Sequence, residues 1–374
     1  MRIGVVRCRY SDYGGGERYA ASLTERLAAA GHSVTIFASE WLARVGGGVT
    51  VSKIKSRWWT PAGKAVSFAR SASRAICPTS LDVVLALERV PGCQVYRAGD
   101  GCHAEWLVRR AAVSNWWRNA AAALRPFHWA MLSLERELFS HPELRFVIVN
   151  SLRGRDEILR HYGSYVSDAR VRLLRNPIDA SRFGRDEECR QRVRLNIGLA
   201  DRPVVLFVGS GFFRKGLDIV LKAMAFLDNE VELLVAGRGS IPKYRRLAKQ
   251  LGISDRVHLL GPVEDPAPLY SAADCFCLPA IYEPFGSACL EALAAGLPVV
   301  TTRVTGASEL IRHGVTGLVL EDNPEPEAVA QALKKTLSLV GQPMFAPAAR
   351  AAVEGLSWPA QLAEILDILA VARK

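Results

Sequence analysis

Short apolar, β-branched runs alternate with helix-length amphipathic stretches along this chain, and the pattern runs through twice. In the first half, Ile3–Val6 reads as a strand. A glycine-rich loop follows, then a helix from about Arg18 to Ala30 that Gly31 would stop, then a strand over Val34–Ala38. Asp82–Leu87 and Phe146–Asn150 are further runs of the buried-strand type. In the second half, Pro203–Gly209 restarts the sequence. A helix over Gly216–Leu227, a strand over Glu232–Ala236, a helix over Lys243–Leu251 and strands at Val257–Leu260, Cys275–Leu278 and Val299–Thr301 follow. Strands separated by helices must pair in parallel, because a hairpin cannot hold a helix. Two such sets in 374 residues predict two Rossmann-like domains. The expected division is 1–180 and 181–357. The polar stretch Ser181–Asp201 serves as the join, and an amphipathic helix over 358–374 packs back on the first domain. Ligands of such sheets bind at the carboxyl ends of the strands.

Composition narrows the class. With 49% hydrophobic and 23% charged residues the chain reads as folded rather than disordered. It holds no apolar run of the eighteen residues that a membrane-spanning helix needs. The N-terminus enters an apolar strand directly, without a cleavage-site pattern. The eight cysteines are scattered, which fits free thiols and a cytoplasmic location. The net charge of +11 is unevenly placed: residues 1–180 carry 26 Lys and Arg against 15 Asp and Glu, and residues 181–374 carry 22 of each. A basic first half suits nucleic acid, a membrane surface or a phosphorylated substrate, or simply a solvated face.

Two stretches of the second half carry chemistry. In LPAIYEPFGSACLEALAAGLPVV, Glu283 stands where a strand ends, Gly286 lets the backbone approach a ligand, and a helix opening near Ser287 carries Glu291 about one turn in. Free amides at that helix start suit a phosphate. In VGSGFFRKG, Arg214 and Lys215 follow a strand through the turn Gly209-Ser-Gly211. Fixed cations there stabilise a diphosphate that gains charge as it leaves, arginine gripping two oxygens and lysine acting as a point charge.

Glu283 and Glu291, with seven residues between them and followed by AAGLPVV, resemble the paired-glutamate signature of retaining glycosyltransferase family 4; Arg214-Lys215-Gly216 resembles its R-K-G motif. The resemblance implies the GT-B fold, two Rossmann-like domains facing across a cleft, with the nucleotide held mainly by the second. Carried over residue by residue, it gives Glu283 the donor sugar's hydroxyls and Glu291 the ribose. The amides of Phe285, Gly286 and Ser287 take the distal phosphate or sugar, and backbone near Val263 takes the base. Asn176-Pro-Ile-Asp…Phe183 resembles the family's exit turn from the first domain, with Pro177 in place of glycine, and Arg182 is either a cleft residue or an exposed linker arginine.

The first half is similar in detail to the lipopolysaccharide core glucosyltransferase I subgroup. The matching residues are Gly14-Gly15 with Arg18, Val90-Pro-Gly…Val95-Tyr96 and Ala98-Gly-Asp100-Gly-Cys102-His-Ala-Glu105. That similarity implies a substrate-positioning role for Asp100. Gly15 and Gly16 would form a side-chain-free wall where donor sugar and acceptor meet, and His103 is a weaker, more structural candidate. The subgroup tends to place an acid where this chain has Tyr19. No Asp-x-Asp pair occurs, so Arg214 and Lys215 are expected to act without a metal, and the donor is a substrate rather than a cofactor.

Between Glu105 and Trp129, Trp106, Trp116, Trp117 and Trp129 are interleaved with Arg109, Arg110, Arg118 and Arg125. Tryptophan with arginine on a helix suits an anionic membrane surface, which the subgroup resemblance also implies; tryptophans packed in a core are the alternative. The expectation is a peripheral, cytoplasmic hexosyltransferase on the inner face of the inner membrane. It would move glucose from UDP-glucose, with retention by a front-face route, to a lipopolysaccharide core or related lipid-linked glycan. The rivals are a capsule or exopolysaccharide transferase with another donor, and a non-catalytic, basic nucleic-acid-binding protein. Glu283, Arg214 and Lys215 together disfavour the latter, so no nucleic acid is expected.

Overall fold

A computed structural model describes residues 1–10, 15–41, 47–56, 59–77, 80–113, 125–199, 201–340 and 344–373. The chain divides into two compact units: Met1–Arg175 with Pro359–Lys374, and Asn176–Trp358.

The first unit is built on seven parallel strands: β1 (Arg2–Val6), β3 (Ser33–Ala38), β5 (Val49–Lys53), β6 (Val83–Ala86), β7 (Val95–Arg97), β8 (Phe146–Val149) and β9 (Val171–Leu173). Their order is β5-β3-β1-β6-β7-β8-β9, and a two-residue parallel ribbon pairs β2 (Arg9–Tyr10) with β4 (Glu40–Trp41). Every residue of β6 is buried, as the apolar run predicted, because helices cover both faces of a parallel sheet. At the edge, β5 exposes polar residues, which hid it from a reading based on apolar runs.

One helix starts earlier than expected. It spans Gly15–Ala29, so Gly15 and Gly16 form its first turn instead of a bare loop. Gly14 lies outside the described residues. The C-terminal helix, Trp358–Val371, belongs to this unit: Gln361 accepts a hydrogen bond from the Tyr19 hydroxyl (2.9 Å) and donates to the Arg175 carbonyl (2.5 Å).

The second unit holds six parallel strands: β10 (Val204–Val208), β11 (Glu232–Ala236), β12 (Val257–Gly261), β13 (Cys275–Leu278), β14 (Val299–Thr302) and β15 (Gly317–Leu320), in the order β12-β11-β10-β13-β14-β15. The chain builds outward from β10 in one direction, then returns to its other side with β13. The carboxyl ends of β10 and β13 are therefore the point where strand order reverses, the usual ligand position of open α/β sheets. The amino ends of the same two strands are pinned by a buried ion pair. Asp274 accepts from Arg190 (2.7 Å), Arg194 (2.8 Å) and the Val204 amide (2.8 Å). Both arginines sit on the helix Glu187–Ile197 of the expected joining stretch, which Asp186 caps and left-handed Gly198 ends.

Candidate active site

At the reversal point of the second sheet, the loop after β10 brings Arg214 and Lys215 beside the loop after β13. Lys215 Nζ lies 2.8 Å and Arg214 Nη1 3.1 Å from the same carboxylate oxygen of Glu283. Arg214 also donates to the Tyr282 carbonyl (2.8 Å), and its own carbonyl accepts from the Ile281 amide (2.8 Å). The two loops are thus laced together by backbone as well as charge. Glu283 and Lys215 are buried, whereas the Arg214 side chain keeps about a third of its surface exposed. Burial alone would push the Glu283 carboxyl up. The Arg214 guanidinium and the Lys215 ammonium outweigh it and hold the acid down at about 2. Two cations against one carboxylate leave one positive charge in excess.

Glycines make this packing possible. A Cβ on Gly209 would lie 2.4 Å from Lys215 Cδ, so the bare backbone is the channel through which the lysine runs. Gly286, at φ +90°, starts the helix Ser287–Ala294, and a Cβ there would lie 2.8 Å from Thr305 Cγ2. The turn is held by paired backbone bonds, Glu283 amide to the Val304 carbonyl (3.2 Å) and Gly306 amide to the Glu283 carbonyl (3.0 Å).

The other expected residues of this unit fall as follows. Glu291 accepts from the Tyr270 hydroxyl at 2.6 Å, which orients its carboxylate. Ser287 accepts from Asn176 Nδ2 at 2.9 Å, so the Asn-Pro turn after Arg175 is tied to the glutamate loop. Phe285 is core, Val263 is partly buried against that core, and Arg182 is an exposed arginine paired with Asp265 at 3.1 Å.

In the first unit the equivalent reversal point lies between β1 and β6. Arg7, just beyond β1, has Nε 3.5 Å from Glu88 and Nη1 3.7 Å from Asp100. A Cβ on Gly16 would lie 2.8 Å from Arg7 Nη2, whereas one on Gly15 would meet no side chain within 4 Å among the described residues. Asp100 is half-exposed on the turn after β7. That turn is held from below: Glu135 is buried and accepts from Arg89 (2.9 Å), the His103 amide (2.6 Å), the Ala104 amide (3.3 Å) and the Tyr162 hydroxyl (2.7 Å). Arg89 in turn donates to the Gly101 carbonyl (2.9 Å). The sequence reading missed Arg7, Glu88, Arg89 and Glu135; the only local signal was a charge directly after an apolar strand, at Arg7 and Glu88.

His103 lies in a chain of contacts, its Nε2 3.1 Å from His128 Nδ1, while His128 Nε2 is 3.1 Å from Arg110. Burial and then Arg89 push His103 down to about 4, so it is neutral at pH 7 and offers no charge to a phosphate. Tyr19, standing where an acid was expected, is buried, with the Arg97 guanidinium 3.7 Å over its ring. Among the described residues no cluster of three His, Cys, Asp or Glu could hold a metal ion, and no helix is long and apolar enough to cross a membrane. Of the Trp and Arg stretch, Trp116, Trp117 and Arg118 lie outside the described residues. Trp106 and Arg109 are partly buried, Trp129 is 66% exposed, and Arg109 pairs with the buried Glu105 at 2.7 Å.

Two family models account for both units. The Glycosyltransferase Family 4 model matches residues 13–182, and the Glycosyl transferases group 1 model matches residues 191–344. The chain is a glycosyltransferase of family 4. It is an enzyme of the hexosyltransferase type, with two Rossmann-like units of the GT-B class. This family 4 enzyme is 26% identical to the lipopolysaccharide glucosyltransferase WaaG of Escherichia coli over 345 residues, covering 90% of each chain. It is 32% identical to a D-inositol 3-phosphate glycosyltransferase of Xylanimonas cellulosilytica over 241 residues, 61% of this chain and 57% of that one. The crystal structure of WaaG matches with a TM-score of 0.85 at 25% identity, covering 98% of this chain and 99% of that one.

Proposed function

We propose that the chain transfers glucose from UDP-glucose, with retention of configuration and without a metal, to a lipopolysaccharide core or related lipid-linked glycan. The observation that carries the proposal is the Glu283, Arg214 and Lys215 cluster, with its one surplus positive charge at the sheet's reversal point. In this reading a donor diphosphate takes the surplus charge of Arg214 and Lys215, and Glu283 holds the sugar's hydroxyls. The bond between the anomeric carbon and the diphosphate oxygen breaks, and the cations stabilise the charge that forms on that oxygen. The acceptor hydroxyl attacks the same face, and its proton passes to the departing diphosphate oxygen. Glu291, oriented by Tyr270, takes the ribose; the amides of Phe285, Gly286 and Ser287 face the sugar or distal phosphate; Gly209 borders the diphosphate; Val263 meets the base; Arg182 stands nearby. Asp100 positions substrate beside the Gly15 and Gly16 helix start.

The resemblance to the lipopolysaccharide glucosyltransferase supports glucose and a core acceptor. Membrane attachment through 105–129, at the inner face of the inner membrane, belongs to the same reading. A thermal-shift panel of nucleotide sugars tests the donor, since a ligand at 100 times its Kd stabilises by about 2.7 kcal/mol. UDP-glucose is expected to raise Tm more than GDP- or ADP-sugars. A larger shift with one of those would reassign the donor, and none with any nucleotide sugar would overturn the donor site.

A further inference from the structure

Trp59 is completely exposed, the most exposed large apolar side chain among the described residues. A single exposed apolar residue is ordinary, but the surroundings of this one are not. Residues 51–64, VSKIKSRWWTPAGK, contain four cations and no acid, and Lys53 and Lys55 are exposed. Trp59 stands two residues before the helix Pro61–Ile76, whose start Thr60 caps. That helix leads from β5 to β6, so it runs against the strands and begins at their carboxyl ends. The helix Pro126–Phe139 leads into β8, so it too begins at that end. The two helices pack on one another on one face of the sheet, with Phe68, Ala72 and Ile76 in the same core as Leu134 and Leu138. Their starts therefore lie at one rim of the first unit. Trp59 stands at one start and the exposed Trp129 in the first turns of the other.

We infer that Trp59 with Lys53 and Lys55 forms a second contact for an anionic bilayer surface, sharing that rim with the stretch around Trp129. Tryptophan at the headgroup level with lysines beside it matches what an interface selects, an amphipathic ring flanked by charges that stay in water. This inference rests on the membrane reading given above and extends it from one element to two. Two contacts at the ends of adjacent helices fix the orientation of the unit on the surface, which one contact cannot do.

The test uses the full chain and vesicles of phosphatidylglycerol in phosphatidylcholine. The Trp59→Ser, Lys53→Ser, Lys55→Ser variant is expected to bind at least about tenfold more weakly than wild type, with an unchanged melting curve. With brominated lipid, Trp59→Phe is expected to remove part of the fluorescence quenching seen in wild type. If the triple variant binds like wild type, or Trp59→Phe leaves the quenching unchanged, the second contact is wrong while the membrane reading stands. If wild type binds no anionic vesicle, that reading fails and this one with it. If the triple variant loses affinity only for single-stranded RNA, the rim belongs to nucleic acid and the inference is overturned.

Discussion

Lys215 Nζ sits 2.8 Å from Glu283 Oε2, and it reaches there over the bare backbone of Gly209. Lys215 lies after β10 and Glu283 after β13, so one ion pair closes the reversal point of the second sheet. In the proposed reading it also orders the charge that a leaving diphosphate would need.

Replacing Lys215 by Ala removes one of two cations. Donors of this kind are each worth about 10²–10³ in kcat, and transfer is expected to fall by at least that range. Arg214 still partners the buried Glu283, so the loss of stability stays below the about 3–5 kcal/mol typical of leaving a buried charge unpaired. Steady-state kinetics with a denaturation curve checks both. Wild-type turnover would remove the lysine from the site.

Gly209→Ala tests the channel. Its Cβ would fall 2.4 Å from Lys215 Cδ, so the lysine must shift from its present path to Glu283, and kcat is expected to drop with it. Gly15→Ala is the control: its Cβ meets no side chain within 4 Å among the described residues, and alanine in a helix is favoured over glycine by up to about 1 kcal/mol. Stability is expected to hold or rise there, so any activity lost at Gly15 comes from crowding of substrate.

Acid stability carries a signature of Glu283. Its carboxyl is held at about 2 in the folded chain against an ordinary 4.5. A folded value below the unfolded one stabilises above the unfolded value, and that stabilisation disappears as pH falls from 4.5 towards 2. The melting temperature of wild type is therefore expected to fall more steeply through this window than that of Glu283→Gln. Parallel curves would show that the acid is not held by Arg214 and Lys215.

Much of this site is local in sequence. Glu283, Gly286 and Glu291 share one turn and helix, and Arg214-Lys215 is a dipeptide after a strand, so short stretches and their resemblance to family motifs exposed them. The supports of Asp100 are different. Arg7 meets Glu88 across the sheet, and Glu135 reaches the His103 amide from 32 residues along the chain; nothing in either local stretch announces its partner. The helix begins at Gly15, three residues before the expected Arg18, because a run of glycines, poor helix formers, reads as a loop in sequence. Tyr19, where the subgroup tends to carry an acid, is a buried tie to Gln361, a pairing 342 residues apart that no local stretch announces.

Chelation gives a separate check on the charge. If Arg214 and Lys215 neutralise the diphosphate, transfer by protein treated with EDTA is expected to match that of untreated protein. A loss restored by a divalent ion would assign that work to a metal.

The most direct measurement follows the anomeric carbon. The protein is incubated with UDP-glucose labelled at C1 and a lipopolysaccharide core acceptor lacking its first glucose, and the product is read by NMR. An α-linked glucose is the expected result. A β-linked product, or none from UDP-glucose with transfer from another nucleotide sugar, would contradict the account.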